Sequence, residues 1–240
     1  WDIGHGSRFR YNISWSPDSK YIAFTQGLDN ANNAIFIFDV SSNKSYQATN
    51  GFFEDIYPVF SRDGKYLFYL TNRNMSAIYS DMGDGTWVYP NSTMIASISL
   101  TKDAPSLLQP KNDAYVPKDK KEGDKKDDKK DDKKDKKDKK SEKSDEEKPK
   151  TEVKIDFDNL EARLVLLPPK AGNIAAIYPF KDKLVYLRFP NTGSGERAAS
   201  LFVYDFEKKE DKEVLADVSN VELTADGDLF LVSSKGKYGI

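Results

Sequence analysis

The sequence predicts an all-β chain of repeating four-stranded antiparallel units, and three observations carry that prediction. The first is a phrase that returns. Trp15-Ser16-Pro17-Asp18-Ser19-Lys20-Tyr21-Ile22-Ala23-Phe24 is echoed 45 residues later by Phe60-Ser61-Arg62-Asp63-Gly64-Lys65-Tyr66-Leu67-Phe68-Tyr69. Each copy is an apolar strand, a tight turn at Asp-Ser or Asp-Gly, and a return strand rich in aromatic residues. These turn residues accept the left-handed dihedrals of a two-residue hairpin. The second observation is two weaker copies. Val221–Val232 keeps the turn at Asp226-Gly227, and Ile177–Leu187 keeps the strands with a degraded turn. Taking Tyr178 and Leu223 as equivalent, their spacing is again 45 residues. The third is a repeated third strand, Ala34–Val40 and Leu201–Phe206, each apolar and each meeting an aspartate near its end.

A repeat of about 40–45 residues in a strand-rich chain is the signature of a propeller blade. The strands are apolar on both faces, where a half-exposed strand would alternate. Blades stacked face to face bury both sides of their inner strands. The expected inter-blade core is Trp15, Phe24, Phe36, Phe38, Phe60, Phe68, Val185, Tyr186, Phe202, Leu229 and Leu231. Residues 1–111 hold the first two blades and 151–240 continue the series. About four blades are visible and the last stops where its third strand should begin.

Between them, residues 112–150 predict a disordered insertion. From Lys118 to Lys150 there are 33 residues, of which 16 are Lys and 13 are Asp or Glu. Ordering them would cost about 1–2 kcal/mol each in backbone entropy, with no apolar surface to offset it. A solvated helix is opposed by the register. Lys125, Lys129, Lys133 and Lys137 recur at i, i+4, as do Asp127, Asp131 and Asp135, and like charges at that spacing destabilise a helix.

The insertion also hides the charge of the rest. Outside it stand 21 Lys and Arg against 26 Asp and Glu, a mildly acidic body. That excludes a nucleic-acid reader, which would show a basic face with interleaved aromatics. No apolar run reaches the roughly 18 residues of a membrane-spanning helix. There is no cysteine, hence no disulfide and no thiolate metal site. The chain starts at Trp1-Asp2-Ile3 with neither an initiator methionine nor a signal peptide, and is expected to be a piece of a larger ring.

Candidates for chemistry are few. His5, in Gly4-His5-Gly6, is the only histidine and has no nearby aspartate in a plausible second role, so it is expected to be a loop or strand-end residue. Asp81, Asp84 and Gly85 suggest a calcium loop, but the alternating Asp-x-Asp-x-Asp-Gly pattern is missing, and a turn-rich insertion is the better reading. Asp18, Asp63 and Asp226 hold equivalent positions in the repeat and are expected to cap turns. Gly193-Ser194-Gly195-Glu196 reads as a hairpin tip, because no helix follows to cradle a phosphate. No catalytic, cofactor-binding or metal-ligating residue is assigned.

Two resemblances complete the reading. The Trp-Ser-Pro-Asp-x-Lys-x-Ile-Ala-Phe phrase resembles the WD-like repeat of the Tol-system periplasmic propeller and of propeller-bearing peptidases. More specifically, Val153–Asn173 resembles the tricorn protease family, where an Ile-Asp-Phe-Asp-Gly-Leu-Glu-x-Arg strand precedes a proline and a small-Gly-Asn turn into the next blade. Asn159 stands at the usual glycine. Pro58-Val59-Phe60-Ser61 and Tyr69-Leu70-Thr71-Asn72-Arg73 also fit that family's blades. The resemblance implies part of the second, seven-bladed propeller of a tricorn-like serine peptidase, non-catalytic, serving as substrate passage and assembly scaffold. It implies oligopeptides as transient ligands and the PDZ and catalytic domains of the parent as partners. It further implies a homo-oligomer and a cytoplasmic location, with the periplasm as the alternative. A stand-alone WD-like module that binds a protein partner remains the competing reading.

Overall fold

The computed structural model describes residues 12–77, 79–81, 86–109, 151–180, 182–224 and 229–240. The insertion 112–150 therefore lies outside the described residues. β1 (Ile13–Trp15), β2 (Tyr21–Gly27), β3 (Asn33–Asp39) and β4 (Lys44–Gln47) form the first antiparallel blade in sequential order. β5 (Asp55–Phe60) and β6 (Tyr66–Thr71) open the second. A separate ribbon, β7 (Tyr79–Asp81) and β8 (Thr86–Val88), interrupts it. β9 (Met94–Ser99) and β10 (Leu164–Leu166) complete it, in the order β10-β9-β6-β5. β11 (Asn173–Phe180), β12 (Lys183–Phe189), β13 (Ala199–Asp205), β14 (Glu210–Leu223), β15 (Phe230–Ser234) and β16 (Lys237–Gly239) then run on as one six-stranded sheet. Among the described residues there is no α-helix, only a 3-10 turn at Leu160–Arg163.

The six-stranded sheet is two blades joined by one strand. Residues 210–215 of β14, with Val218, pair with β13, and residues 218–223 pair with β15. Between the two stretches Asp217 adopts a left-handed φ of 53° and the register shifts. A bulge of this kind bends the strand and increases its twist. The outer strand of the third blade thus becomes the inner strand of the fourth.

The returning phrase folds the same way twice. In blade 1 the Ser16 hydroxyl donates to Asp18 Oδ1 at 2.7 Å and accepts from Tyr21 N at 2.9 Å. In blade 2 Ser61 donates to Asp63 Oδ1 at 2.6 Å and accepts from Tyr66 N at 2.9 Å. Ser19 and Gly64 take the left-handed positions, φ 62° and 68°. The loop is longer than the two-residue hairpin expected. Ser16 N bonds Tyr21 O and Ser61 N bonds Tyr66 O, so four residues lie between the paired positions. The serine side chain closes that wider loop by bonding across it. The Asp226-Gly227 copy lies outside the described residues.

Face-to-face burial accounts for the apolar strands. All six residues of β6 are buried. Leu67 and Tyr69 meet Ile35 and Ile37 of blade 1, while Tyr66, Phe68 and Leu70 meet Ile177, Leu184 and Tyr186 of blade 3. Val185 and Leu201 meet Val218 and Val221 across the third seam. Phe60, Phe68, Val185 and Tyr186 are buried as expected, and Phe202 is half-buried at the edge of the second seam. Other expectations are corrected. On β3 the fully buried pair is Ile35 and Ile37, while Phe36 and Phe38 face the other way half-buried, with Phe24 stacked on Phe36 at 5.8 Å. Trp15, Leu229 and Leu231 are 53%, 52% and 40% exposed, because no described blade packs on the outer faces of the first and fourth blades.

The stretch expected as a strand before Asn159 is an extended strap with no ladder of its own. It is wedged between the first two blades. Val153 N donates to Asp18 Oδ2 at 2.9 Å, and its side chain fills the space over Gly64, where a Cβ would lie 2.7 Å from Val153 Cγ2. Phe157 stacks on Tyr46 at 3.8 Å. Asp156 accepts from Lys102 N and its own N–H donates to Leu100 O, both at 2.9 Å. Asn159 then turns with φ 51°, a conformation asparagine tolerates nearly as well as the glycine it replaces. Gly64→Ala should destabilise the chain by about 1–3 kcal/mol, from positive φ and the displaced Val153. Phe157→Ala should cost about 2 kcal/mol through the lost stack and burial. Urea denaturation of both variants measures the two effects.

Candidate functional site

Most sequence-flagged residues prove to be structural or fall outside the described part. Asp18 and Asp63 hold turns, as expected, and Asp18 also anchors the strap. Asp39 and Asp205 close their third strands. Ser41 and Ser42 hydroxyls hold the Asp39 carboxyl down at about 2. The backbone N–H of Lys208, with Lys183, does the same for Asp205, also to about 2. Gly193 and Gly195, with φ 88° and 80°, make an exposed tip between β12 and β13. His5, Asp84, Gly85 and Asp226 lie outside the described residues, and Asp81 ends the ribbon strand β7. Among the described residues no three His, Cys, Asp or Glu gather as metal ligands, and no helix is long and apolar enough to cross a membrane.

Two features remain. The first is the row of inner strands. β1, β5 and β11 are each the edge strand of their sheet, and β5 packs beside both β1 and β11. Phe60 N donates to Ser14 Oγ at 3.1 Å, tying β5 to β1. The Tyr178 hydroxyl donates to Val221 O at 3.1 Å, tying β11 to the second half of β14. The inner strands of a propeller surround its central channel, so this row is the wall the chain contributes.

The second feature sits at one end of blades 1 and 2. A pocket of about 360 Å³ is lined by residues that include Asn32, Phe53, Glu54, Asn72 and Tyr89. Behind it lies a charged cluster. The Arg73 guanidinium pairs with Glu161 at 2.9 Å and Asp55 at 3.6 Å, donates from Nε to Thr71 Oγ1 at 3.0 Å, and lies 4.5 Å from the Phe53 ring centroid. Glu161 Oε2 also accepts from Asn50 N at 2.8 Å. Asp55 is fully buried, and that burial raises its carboxyl above the ordinary value against the opposing pull of Thr71, Arg73 and Thr49. Burial likewise raises the Tyr69 phenol, with Asp55's charge adding to the effect. Sequence reasoning did not assemble this cluster, because its members come from three separate segments. Both Arg73 and Glu161 nevertheless stand inside the stretches that carried the family resemblance.

The cluster generates a pH dependence with a definite sign. A buried carboxyl whose folded value is raised binds a proton more readily in the folded chain. Its stabilising contribution is therefore greatest below the unfolded value of 3.8 and declines as pH rises through the folded value. Asp55→Asn should remove that decline, so the variant gains relative to the native chain as pH rises across that window. Arg73→Met at neutral pH should cost about 3–5 kcal/mol, because Asp55 and Glu161 lose the cation between them. Urea titrations at several pH values measure both.

The family model of the tricorn protease second beta propeller domain matches residues 5–240. Tricorn protease homolog 1 of Streptomyces coelicolor is 24% identical over 236 residues, covering 94% of this chain and 20% of its own length. The tricorn protease of Thermoplasma volcanium is 23% identical over 233 residues, covering 92% and 19%. The crystal structure of the tricorn protease superposes with a TM-score of 0.67 at 18% identity, over 95% of this chain and 20% of that one, and shares the fold. The chain spans about a fifth of the length of the relatives it matches. It belongs to the tricorn protease second β-propeller family.

Proposed function

We propose that this chain is a non-catalytic wall of the passage through which a tricorn-like serine peptidase admits oligopeptides, and part of the scaffold on which that enzyme assembles. The observation that carries the reading is the match of residues 5–240 to the second propeller domain of that family. Two further features support it. A row of inner strands faces the channel side, and the chain has one histidine and no cysteine from which to build a nucleophile–base pair. The PDZ and catalytic domains of the parent would be its covalent partners, oligopeptides its transient ligands, a homo-oligomer its assembly and the cytoplasm its compartment. A passage acts by weak contacts that admit extended chains and exclude folded ones, so its contribution appears in access rather than in the chemical step.

The test sets this reading against catalysis within the chain. The chain alone should hydrolyse no short fluorogenic peptide, with or without His5→Ala. Deleting these blades from the parent should alter the size of peptide accepted, or assembly, more than turnover of the shortest substrates. Turnover by the chain alone that His5→Ala abolishes would place an active site here and overturn the proposal.

A further inference from the structure

Three asparagines hold one exposed aromatic residue in place at the end of blades 1 and 2. Asn30 Nδ2 and Asn32 Nδ2 donate to Gly51 O at 2.9 and 3.1 Å, and Asn32 Nδ2 also donates to Phe52 O at 3.0 Å. Phe52 N donates to Asn50 Oδ1 at 2.8 Å. A loop pinned this closely still leaves Phe52 73% exposed, its ring edge-on to Phe53 with centroids 5.0 Å apart. An apolar group held rigid in water can be covered by a ligand at little further cost in order. Phe52 lines the pocket of about 360 Å³ described above. Much of the remaining lining, Asn72, Asn74, Met75, Tyr89 and Ser92, comes from the connection between β6 and β9. In blade 1 the equivalent connection is only residues 28–32; in blade 2 it is residues 72–93 and carries the β7–β8 ribbon. Its base is fixed: Thr93 Oγ1 donates to Asn72 Oδ1 at 3.0 Å, Asn72 N to Glu54 O at 3.0 Å, and Ser76 Oγ to Asn74 Oδ1 at 3.3 Å. Both carboxamide oxygens are thus engaged, and what Asn72 and Asn74 have left to offer is their Nδ2 donors.

We propose that this pocket takes an apolar side chain of an extended peptide, best an aromatic one, with the Asn72 and Asn74 carboxamides donating to the peptide carbonyls beside it. The proposal rests on the passage reading for its supply of peptides and adds a selectivity to it. Phe52, Met75 and Tyr89 supply exposed apolar surface, 73%, 64% and 37% accessible, against which such a side chain packs. The donors match carbonyl oxygens, which every peptide carries. Charge decides against an ionic ligand. Glu54 is the one charged residue of the lining, and both its oxygens accept from Asn33, at 2.7 and 2.6 Å. It therefore repels an anion and has little left to give a cation. The volume stands at the small end of ligand pockets, enough for one side chain and its peptide group. Phe52, Phe53 and Glu54 lead straight into β5, so the pocket lies at the end of the inner row from which β5 starts.

The experiment measures binding of two labelled, end-blocked pentapeptides to the full chain by fluorescence anisotropy. One has a central phenylalanine and the other a central alanine. The phenylalanine peptide should bind about 10-fold tighter, a preference that added salt leaves in place. Phe52→Ala, at a side chain too exposed to hold the fold, should bring the preference below about 3-fold. Asn72→Asp keeps the oxygen that Thr93 bonds and removes the Nδ2 donor. It should weaken both peptides about 5-fold and leave the preference between them unchanged. Trp15→Ala, on the uncovered outer face of blade 1, should change neither affinity. Equal binding of the two peptides, or binding of neither, would overturn the pocket while leaving the passage to be judged by the size of peptide the parent accepts. A preference that survives Phe52→Ala but is lost in Trp15→Ala would assign it to the uncovered blade face and sink the proposal. Self-association of the chain that Phe52→Ala abolishes would give the patch to a second copy and sink it too.

Discussion

The structure depends on covering both faces of strands that are apolar on both faces. β6 shows the constraint in its plainest form, with six consecutive buried residues divided between the blade before and the blade after. No single sheet can satisfy such a strand, because one face would meet water. Each blade is therefore stable only as a member of a series, and the hydrophobic gain sits in the seams between sheets. β14 is the covalent expression of the same constraint. It leaves the third blade and enters the fourth without a loop, changing partner and register at Asp217.

The seams also explain where polar groups sit. Between blades 1 and 2 the strap from Val153 to Asn159, with Leu160 of the turn that follows, fills the seam with Val153, Phe157 and Leu160. At the pocket end of those blades the apolar packing gives way to Arg73 with its two carboxylates. There one cation offsets two anions that would otherwise face each other in a low-dielectric site. The strap ends in the turn that delivers Glu161 to Arg73, so a single segment completes both the apolar and the charged parts of the seam. This gives the family resemblance of that segment a physical content: spacing from Val153 to Arg163 must match the width of a seam.

Much of this was legible in the sequence, and what was not has identifiable causes. The capping aspartates were readable because they act locally, Asp18 and Asp63 each bonding within two residues, whereas the four-residue loop closed by Ser16 and Ser61 was not read from the Asp-Ser and Asp-Gly pairs. Asn159 could stand for glycine because only a left-handed backbone is required there. The phase of β3 was not readable. A run apolar at every position carries no periodicity, so it points to Phe36 and Phe38 as readily as to Ile35 and Ile37, which the structure buries. The outer faces bearing Trp15, Leu229 and Leu231 look like core in composition, and burial depends on what lies across the seam. β14 was hidden because its bulge breaks the alternation, and Arg73 with Asp55 and Glu161 because the three meet only in the fold. Tyr57 left no mark in sequence: its left-handed φ of 58° coincides with the slip of β5 against β6.

A series of blades of this construction places its rigidity in the seams. Native-state hydrogen exchange tests the underlying claim most directly, because it reports how strongly each strand is held by its neighbours. The account predicts the slowest exchange in β6, β9 and β12, whose blades are covered on both faces, intermediate rates in β2, and the fastest in β1 and β16. Equal protection across all blades, or slowest exchange in β1 or β16, would contradict it.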